Sequence, residues 1–269
     1  MIKKIQIELV ILLFLLVNIF TSYNIDVNLY NYFSTLNYGY DVIYLKEFFI
    51  GITELGDSLW YFLIVTCIFF ISFIFNKIKL ISHKKYLKIK IFNIFSFSYI
   101  FLVGLITQLL KHLIGRPRPN YTVFDESLGF NFFSTDSAFH SFPSGHSSTI
   151  VSVVLILSLL IPSLRSFFYL FGFLIAISRV VVGAHFVTDV LAGAVVAVMV
   201  YKIFLFFFNK YYPNFSVKDY EMINFSLPMK STLLFVIASL FITVGYRFDV
   251  FISGLFYYEN NQFYLQSYN

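Results

Sequence analysis

Seven apolar stretches leave this chain one class of solution. They run over residues 5–20, 58–75, 91–110, 147–161, 166–182, 186–208 and 231–246. About 20 apolar residues cross a bilayer, so each stretch is read as a span. The fourth is short, and residues 143–147 can supply its first turn. Of the 269 residues, 59% are hydrophobic and 12% are charged, against roughly 25% charged in an average soluble domain. A soluble fold of this length has no core large enough to hide that much apolar surface. The expected fold class is therefore all-α, a polytopic membrane bundle. Cys67, the one cysteine, stands inside an apolar stretch and can form neither an internal disulfide nor a Cys-based metal site. A small buried hydrophobe is its expected role.

The charges set a topology. Lys3 and Lys4 precede the first stretch, Lys77, Lys79, Lys84, Lys85, Lys88 and Lys90 crowd the second connection, Arg165 sits in the fourth, and Lys202, Lys210, Lys218 and Lys230 flank the sixth stretch and the chain beyond it. These are alternate sides, and an excess of Lys and Arg marks a cytoplasmic side. The first connection carries Asp26, Asp41, Glu47, Glu54 and Asp57 against Lys46 alone, so it is placed outside. The first stretch resembles a signal peptide, but the run F-T-S-Y-N at 20–24 is a poor cleavage site, so an uncleaved span is expected. The net charge of +5 fits nucleic-acid binding in sign only, because the charges sort by loop.

Lys111, Arg116, Arg118 and Arg179 break the pattern by lying on the side where basic residues are otherwise scarce. They belong to three polar segments at one rim. The first runs from Lys111 to Arg118 and Pro119. The second is Pro143, Ser144, Gly145 and His146. The third holds Ser178, Arg179, His185 and Asp189. Lys111, Arg118 and Arg179 supply positive charge, and the fork of Arg suits phosphate oxygens. Ser144 and Gly145 stand where a helix begins, a place for an anion. His185 and Asp189 are four apart, so a helix puts them on one face. The aspartate can there fix the imidazole tautomer and leave the second nitrogen free to attack phosphorus. His146 is suited to protonate a leaving oxygen.

Blander readings exist for each residue. His83, His112 and His140 are read as satisfied or solvated. Asp189 can be a structural partner of Arg179, Ser144-Gly145 an ordinary turn, and Arg116 a holder of headgroups at the interface. His146, His185 and Asp189 are legitimate metal ligands, but three surrounding cations repel a divalent ion. No metal and no cofactor are therefore expected.

The three segments together resemble the signature of the type 2 phosphatidic acid phosphatase (PAP2) family: K-x6-RP, PSGH and SR-x5-H-x3-D, filled here from Lys111 to Asp189. The resemblance implies a six-helix membrane core over residues 1–210. The extension over 211–269, with a seventh span at about 231–246, departs from that core. It also implies a metal-free mechanism through a phosphohistidine. In that mechanism His185 is the nucleophile, Asp189 its orienter and His146 the general acid, while Lys111, Arg118, Ser144, Gly145 and Arg179 hold the phosphoryl oxygens. The expected function is removal of phosphate from a lipid headgroup on the outer face of a bacterial inner membrane, with the N-terminus cytoplasmic. Undecaprenyl pyrophosphate, phosphatidylglycerol phosphate, phosphatidic acid and lipid A phosphates are the candidate substrates. Residues 120–142 are expected to lid the pocket. A lipid phosphotransferase shares the same phosphohistidine step. A phosphate-binding transporter is disfavoured because its polar residues belong near the midplane, and the haloperoxidase branch by the spans. Nothing in the sequence fixes an oligomeric state.

Overall fold

Capping chemistry sets where the helices of the bundle start and stop. The computed structural model describes residues 13, 23–35, 40–122, 129–213, 257–258 and 262–263. Seven helices of a dozen residues or more lie among them: α1 (Tyr23–Thr35), α2 (Tyr40–Thr53), α3 (Ser58–Lys77), α4 (His83–Ile114), α5 (Gly145–Leu160), α6 (Arg165–Val181) and α7 (Val187–Tyr211). The expected spans at 58–75, 91–110, 147–161, 166–182 and 186–208 are thus α3 to α7. Those at 5–20 and 231–246 lie outside the described residues, apart from Leu13, which is helical. Two-residue strands, Tyr257–Tyr258 and Gln262–Phe263, pair antiparallel near the C-terminus.

Asp57 starts α3 by accepting the Leu59 N–H at 2.9 Å, and Ser82 starts α4 by accepting the Lys85 N–H at 3.3 Å. Helix α4 runs 32 residues, well beyond its apolar segment, because lysines extend its first turns and Gly115 ends it. Gly115 adopts the left-handed conformation at φ 58°, and a Cβ there would lie 1.6 Å from the Asn131 carbonyl oxygen. Only glycine fits both constraints. Helices α1 and α2 sit in what the sequence presents as the first connection. At 13 and 14 residues they are too short to register as spans.

Four helical segments are long and apolar enough to cross a membrane: Ser58–Lys77, His83–Tyr121, Pro162–Val181 and Val187–Tyr211. Helix α5 is shorter and occupies the centre, packing against α4, α6 and α7. Its hydroxyls are satisfied within the bundle: Ser152 donates to the Ser148 carbonyl at 2.8 Å, and Ser148 accepts from Thr107 of α4 at 3.1 Å. Tyr99 of α4 donates to the Ala197 carbonyl of α7 at 2.8 Å. At the site end α7 crosses the start of α5 so closely that a Cβ on Gly193 would come within 2.4 Å of the Ser144 carbonyl oxygen. Helix α3 lies at the margin and turns Leu63, Phe70, Ile71 and Ile74 outward. A bilayer covers such a face at no hydrophobic cost. Cys67 is on this outer face and exposed, which corrects its expected burial. A segment that is apolar all round carries no periodicity to say which side faces protein.

Candidate active site

The C-terminal ends of α4 and α6 and the N-terminal ends of α3, α5 and α7 share one end of the bundle, and the three polar segments meet there. Asp189 is the centre of the arrangement and is fully buried. Its Oδ1 accepts from Arg116 Nη1 at 2.6 Å. Its Oδ2 accepts from the Ser141 hydroxyl at 2.6 Å and from the Phe186 N–H, the cap of α7, at 2.9 Å. Its backbone carbonyl takes the Ser144 N–H at 2.9 Å. Asp189 thus fixes its own helix and the end of the loop before the second motif through its carboxylate, and the motif itself through its carbonyl.

Arg116 corrects the headgroup-holder reading. It is 1% exposed, and its second nitrogen donates to Asp26 of α1 at 2.8 Å. Asp26 also accepts the Thr188 hydroxyl at 2.5 Å. A guanidinium between two carboxylates satisfies the requirement that a buried charge be paired and hydrogen-bonded. Asp189 therefore pairs with Arg116, not with Arg179 as the blander reading supposed.

His185 is buried and sits one turn before Asp189, as the i, i+4 spacing requires. The distance from its Nδ1 to Asp189 Oδ2 is 3.7 Å, too long for a hydrogen bond, and Nδ1 has no hydrogen-bond partner among the described residues. Burial pushes the His185 pKa down to about 3; Asp189 opposes this, while Lys111 and Arg179 add to it. The imidazole is neutral at ordinary pH, with a lone pair available.

Three of the basic residues behave differently from Arg116. Lys111 donates to the His140 carbonyl at 2.6 Å, Arg118 Nε to the Ser137 carbonyl at 3.0 Å, and Arg179 Nη1 to the Thr53 hydroxyl at 2.7 Å. None of the three forms an ion pair with a described residue. Their charges reach both imidazoles: Lys111 and Arg179 act on His185, and all three act on His146.

Ser144 is placed differently from a direct phosphate ligand. Its side chain is fully buried and accepts from the Ser147 hydroxyl at 2.9 Å and the Ser147 N–H at 3.4 Å. It caps α5. The group it offers an anion is the helix start itself, where the N–H groups of Gly145 and His146 meet no acceptor among the described residues. Gly145 packs beside Lys111, whose Cε would lie 3.7 Å from a Cβ there.

His140 and His112 keep the satisfied roles expected of them. His140 Nε2 lies 2.9 Å from the Ser134 carbonyl, and His112 Nδ1 lies 2.8 Å from that of Gln108. Among the described residues, no three of His, Cys, Asp and Glu converge as a metal-ligand set. Asp125 and Glu126 of the expected lid lie outside the described residues.

Sequence reasoning placed Arg116 at the rim without its role in the clamp, and it missed the site roles of Asp26, Ser141, Thr188 and Thr53. One trace of the clamp was legible. Asp26 is an acid beside an apolar stretch, and such an acid calls for a partner.

The PAP2 superfamily model matches residues 93–215, a range that holds all three motifs. The lipid A 1-phosphatase of Rhizobium etli is 34% identical over 151 residues, covering 55% of this chain and 65% of that protein. That of Rhizobium johnstonii is 35% identical over 144 residues, covering 53% and 59%. The chain thus spans slightly less than two thirds of the length of these curated relatives. The crystal structure of a transmembrane PAP2-type phosphatidylglycerolphosphate phosphatase from Bacillus subtilis superposes with a TM-score of 0.57 at 24% identity. The match covers 77% of this chain and 96% of that one, and at that identity it is a likeness of fold. With its signature segments at one end of a helical membrane bundle, the chain is similar to the PAP2 superfamily over residues 93–215.

Proposed function

We propose that the protein is a metal-independent membrane phosphatase that takes phosphate from a lipid headgroup through a phosphohistidine on His185. The observation that carries this reading is the contrast within the site. Lys111, Arg118 and Arg179 form no salt bridge with a carboxylate among the described residues, yet their charges bear on the imidazoles of His185 and His146, and Lys111 packs beside the start of α5. An anion with several oxygens is the ligand that completes such a group.

The lone pair of His185 Nε2 attacks phosphorus as the bond from phosphorus to the lipid oxygen breaks. His146 gives its proton to that oxygen. Positive charge develops on the His185 ring, and its Nδ1–H closes onto Asp189, a contact that is long before substrate binds. Water then attacks the phosphohistidine, His146 takes the proton from that water, and inorganic phosphate leaves. Lys111, Arg118, Arg179 and the Gly145 and His146 N–H groups hold the phosphoryl oxygens while charge on them grows.

A phosphorylated lipid fits because the site opens at one end of a bundle with an apolar outer surface. The lysines of the α3–α4 turn lie at the opposite end, and an excess of lysine on the cytoplasmic side supports a site on the outer face. The segment 129–142 holds Lys111 and Arg118 through its carbonyls, so we assign substrate choice to this connection. Exchanging it with that of a relative of different specificity will change the preferred lipid.

The test is phosphate release by the purified protein in detergent with EDTA. The panel is undecaprenyl pyrophosphate, phosphatidylglycerol phosphate, phosphatidic acid and lipid A. Release from one of them that vanishes in His185→Ala supports the proposal. Release that survives in His185→Ala, or that EDTA abolishes, overturns it.

A further inference from the structure

The segment between α2 and α3 carries none of the three signature motifs, yet it touches the site twice. Thr53 is the last residue of α2 and is buried, and its hydroxyl accepts Arg179 Nη1 at 2.7 Å. Three residues on, Gly56 is buried in a single 3-10 turn. A Cβ on Gly56 would lie 2.8 Å from His146 Cδ2 and 2.9 Å from His146 Cβ, separations that real side chains do not tolerate. The segment is itself held: Asp57 caps α3, the Tyr61 hydroxyl donates to the Leu55 carbonyl, and Ile52 is in the core. A fixed backbone therefore stands directly against the His146 ring.

From this we infer that Thr53 and Gly56 are positioning residues for the reaction, Gly56 setting the ring of His146 and Thr53 setting the fork of Arg179. The inference rests on the proposed role of His146 as the acid for the leaving group. The two positions act on different steps. The backbone at Gly56 stops the His146 ring from turning away from the lipid oxygen it must protonate. Thr53 accepts from one nitrogen of Arg179 and leaves the rest of the fork to a phosphoryl oxygen. Neither residue touches substrate in this assignment. Each acts through a residue that does.

Leaving-group dependence separates this from a merely structural role. A good leaving group such as 4-nitrophenolate departs without a proton, whereas an alkoxide needs one, and a general acid contributes about 100- to 10,000-fold. In Gly56→Ala the ring must shift, so turnover of a lipid alkyl phosphate will fall at least tenfold more than that of 4-nitrophenyl phosphate. In a His146→Gly background the added methyl meets neither ring nor Cβ, so Gly56→Ala will cause no further loss. Thr53→Val will weaken inhibition by vanadate and lower kcat about tenfold each, and Thr53→Ser will restore both.

Equal losses on both phosphates, or a further loss from Gly56→Ala in the His146→Gly background, would overturn the role given to Gly56. Unchanged vanadate inhibition in Thr53→Val overturns that of Thr53. If Gly56→Ala alone fails to fold, the double variant supplies the comparison with His146→Gly. A His146→Ala variant that loses equally on both phosphates refutes the general acid itself, a separate failure.

Discussion

Arg116 and Arg118 stand two residues apart in one G-R-P-R-P run and lead different lives. Arg116 is almost wholly buried between Asp26 and Asp189. Arg118 donates its Nε to a backbone carbonyl and pairs with no described carboxylate. The same contrast divides the whole site into two regions. On one side lies a paired network of Asp26, Arg116, Ser141, Thr188 and Asp189, joined by hydrogen bonds at 2.5 to 2.8 Å. On the other lie three cations that need an external anion. The comparison teaches that one end of a membrane bundle can carry two classes of arginine. One class is paired and holds the Asp189 carboxylate still. The other is left for the ligand.

Breaking the two regions separately should give different losses. The largest effect belongs to the residue that joins them. Asp189→Asn keeps the shape but removes the charge that orients His185, so kcat should drop about 10,000-fold, as for other aspartates that orient histidines. Steady-state turnover on the preferred lipid checks it, and a loss under tenfold would detach Asp189 from the chemistry. Next comes Arg116→Ala, which strands two buried carboxylates and should cost about 3–5 kcal/mol of stability. Thermal unfolding in detergent will show it, and an unchanged midpoint would remove the clamp from the account.

Arg118→Ala should leave that midpoint within about 0.5 kcal/mol and weaken vanadate binding about 10- to 100-fold, the effect of one or two charge-assisted hydrogen bonds. If Arg118→Ala instead destabilises as Arg116→Ala does, the division of the site collapses. Ser141→Ala removes one of several donors to Asp189, so its effect should be near 1.5 kcal/mol. The last effect is read against pH. Between pH 6.5 and about 3 the unfolded chain binds a proton on His185 that the folded chain refuses. Stability should therefore decline as pH falls through that window. The decline should be shallower in His185→Asn, and equal slopes would show that His185 is not held neutral.

The spans were legible because α3 to α7 follow from hydropathy and length alone. Helices α1 and α2 were not, since a 14-residue apolar helix satisfies no span criterion. The motifs were legible as well, because residue type and spacing specify a phosphate site and the i, i+4 relation of His185 and Asp189. Arg116 was not. Its residue type suits headgroups and buried pairs equally, and only its distance from Asp26, 90 positions away, decides between them. Ser144 shows the same gap, since its type suits an anion while its hydroxyl is consumed by the cap.

The sequence by itself determined that the chain is a membrane bundle, where its main helices lie, and which residues crowd one rim. Hydropathy and local spacing act through nearest neighbours along the chain, so they survive without knowledge of the fold. Tertiary structure alone decided which cations are neutralised and which are left for the ligand, that His185 is buried and neutral, and that Thr53 and Gly56 back the site. Each depends on side chains brought together from distant positions, where desolvation and pairing set the charge state.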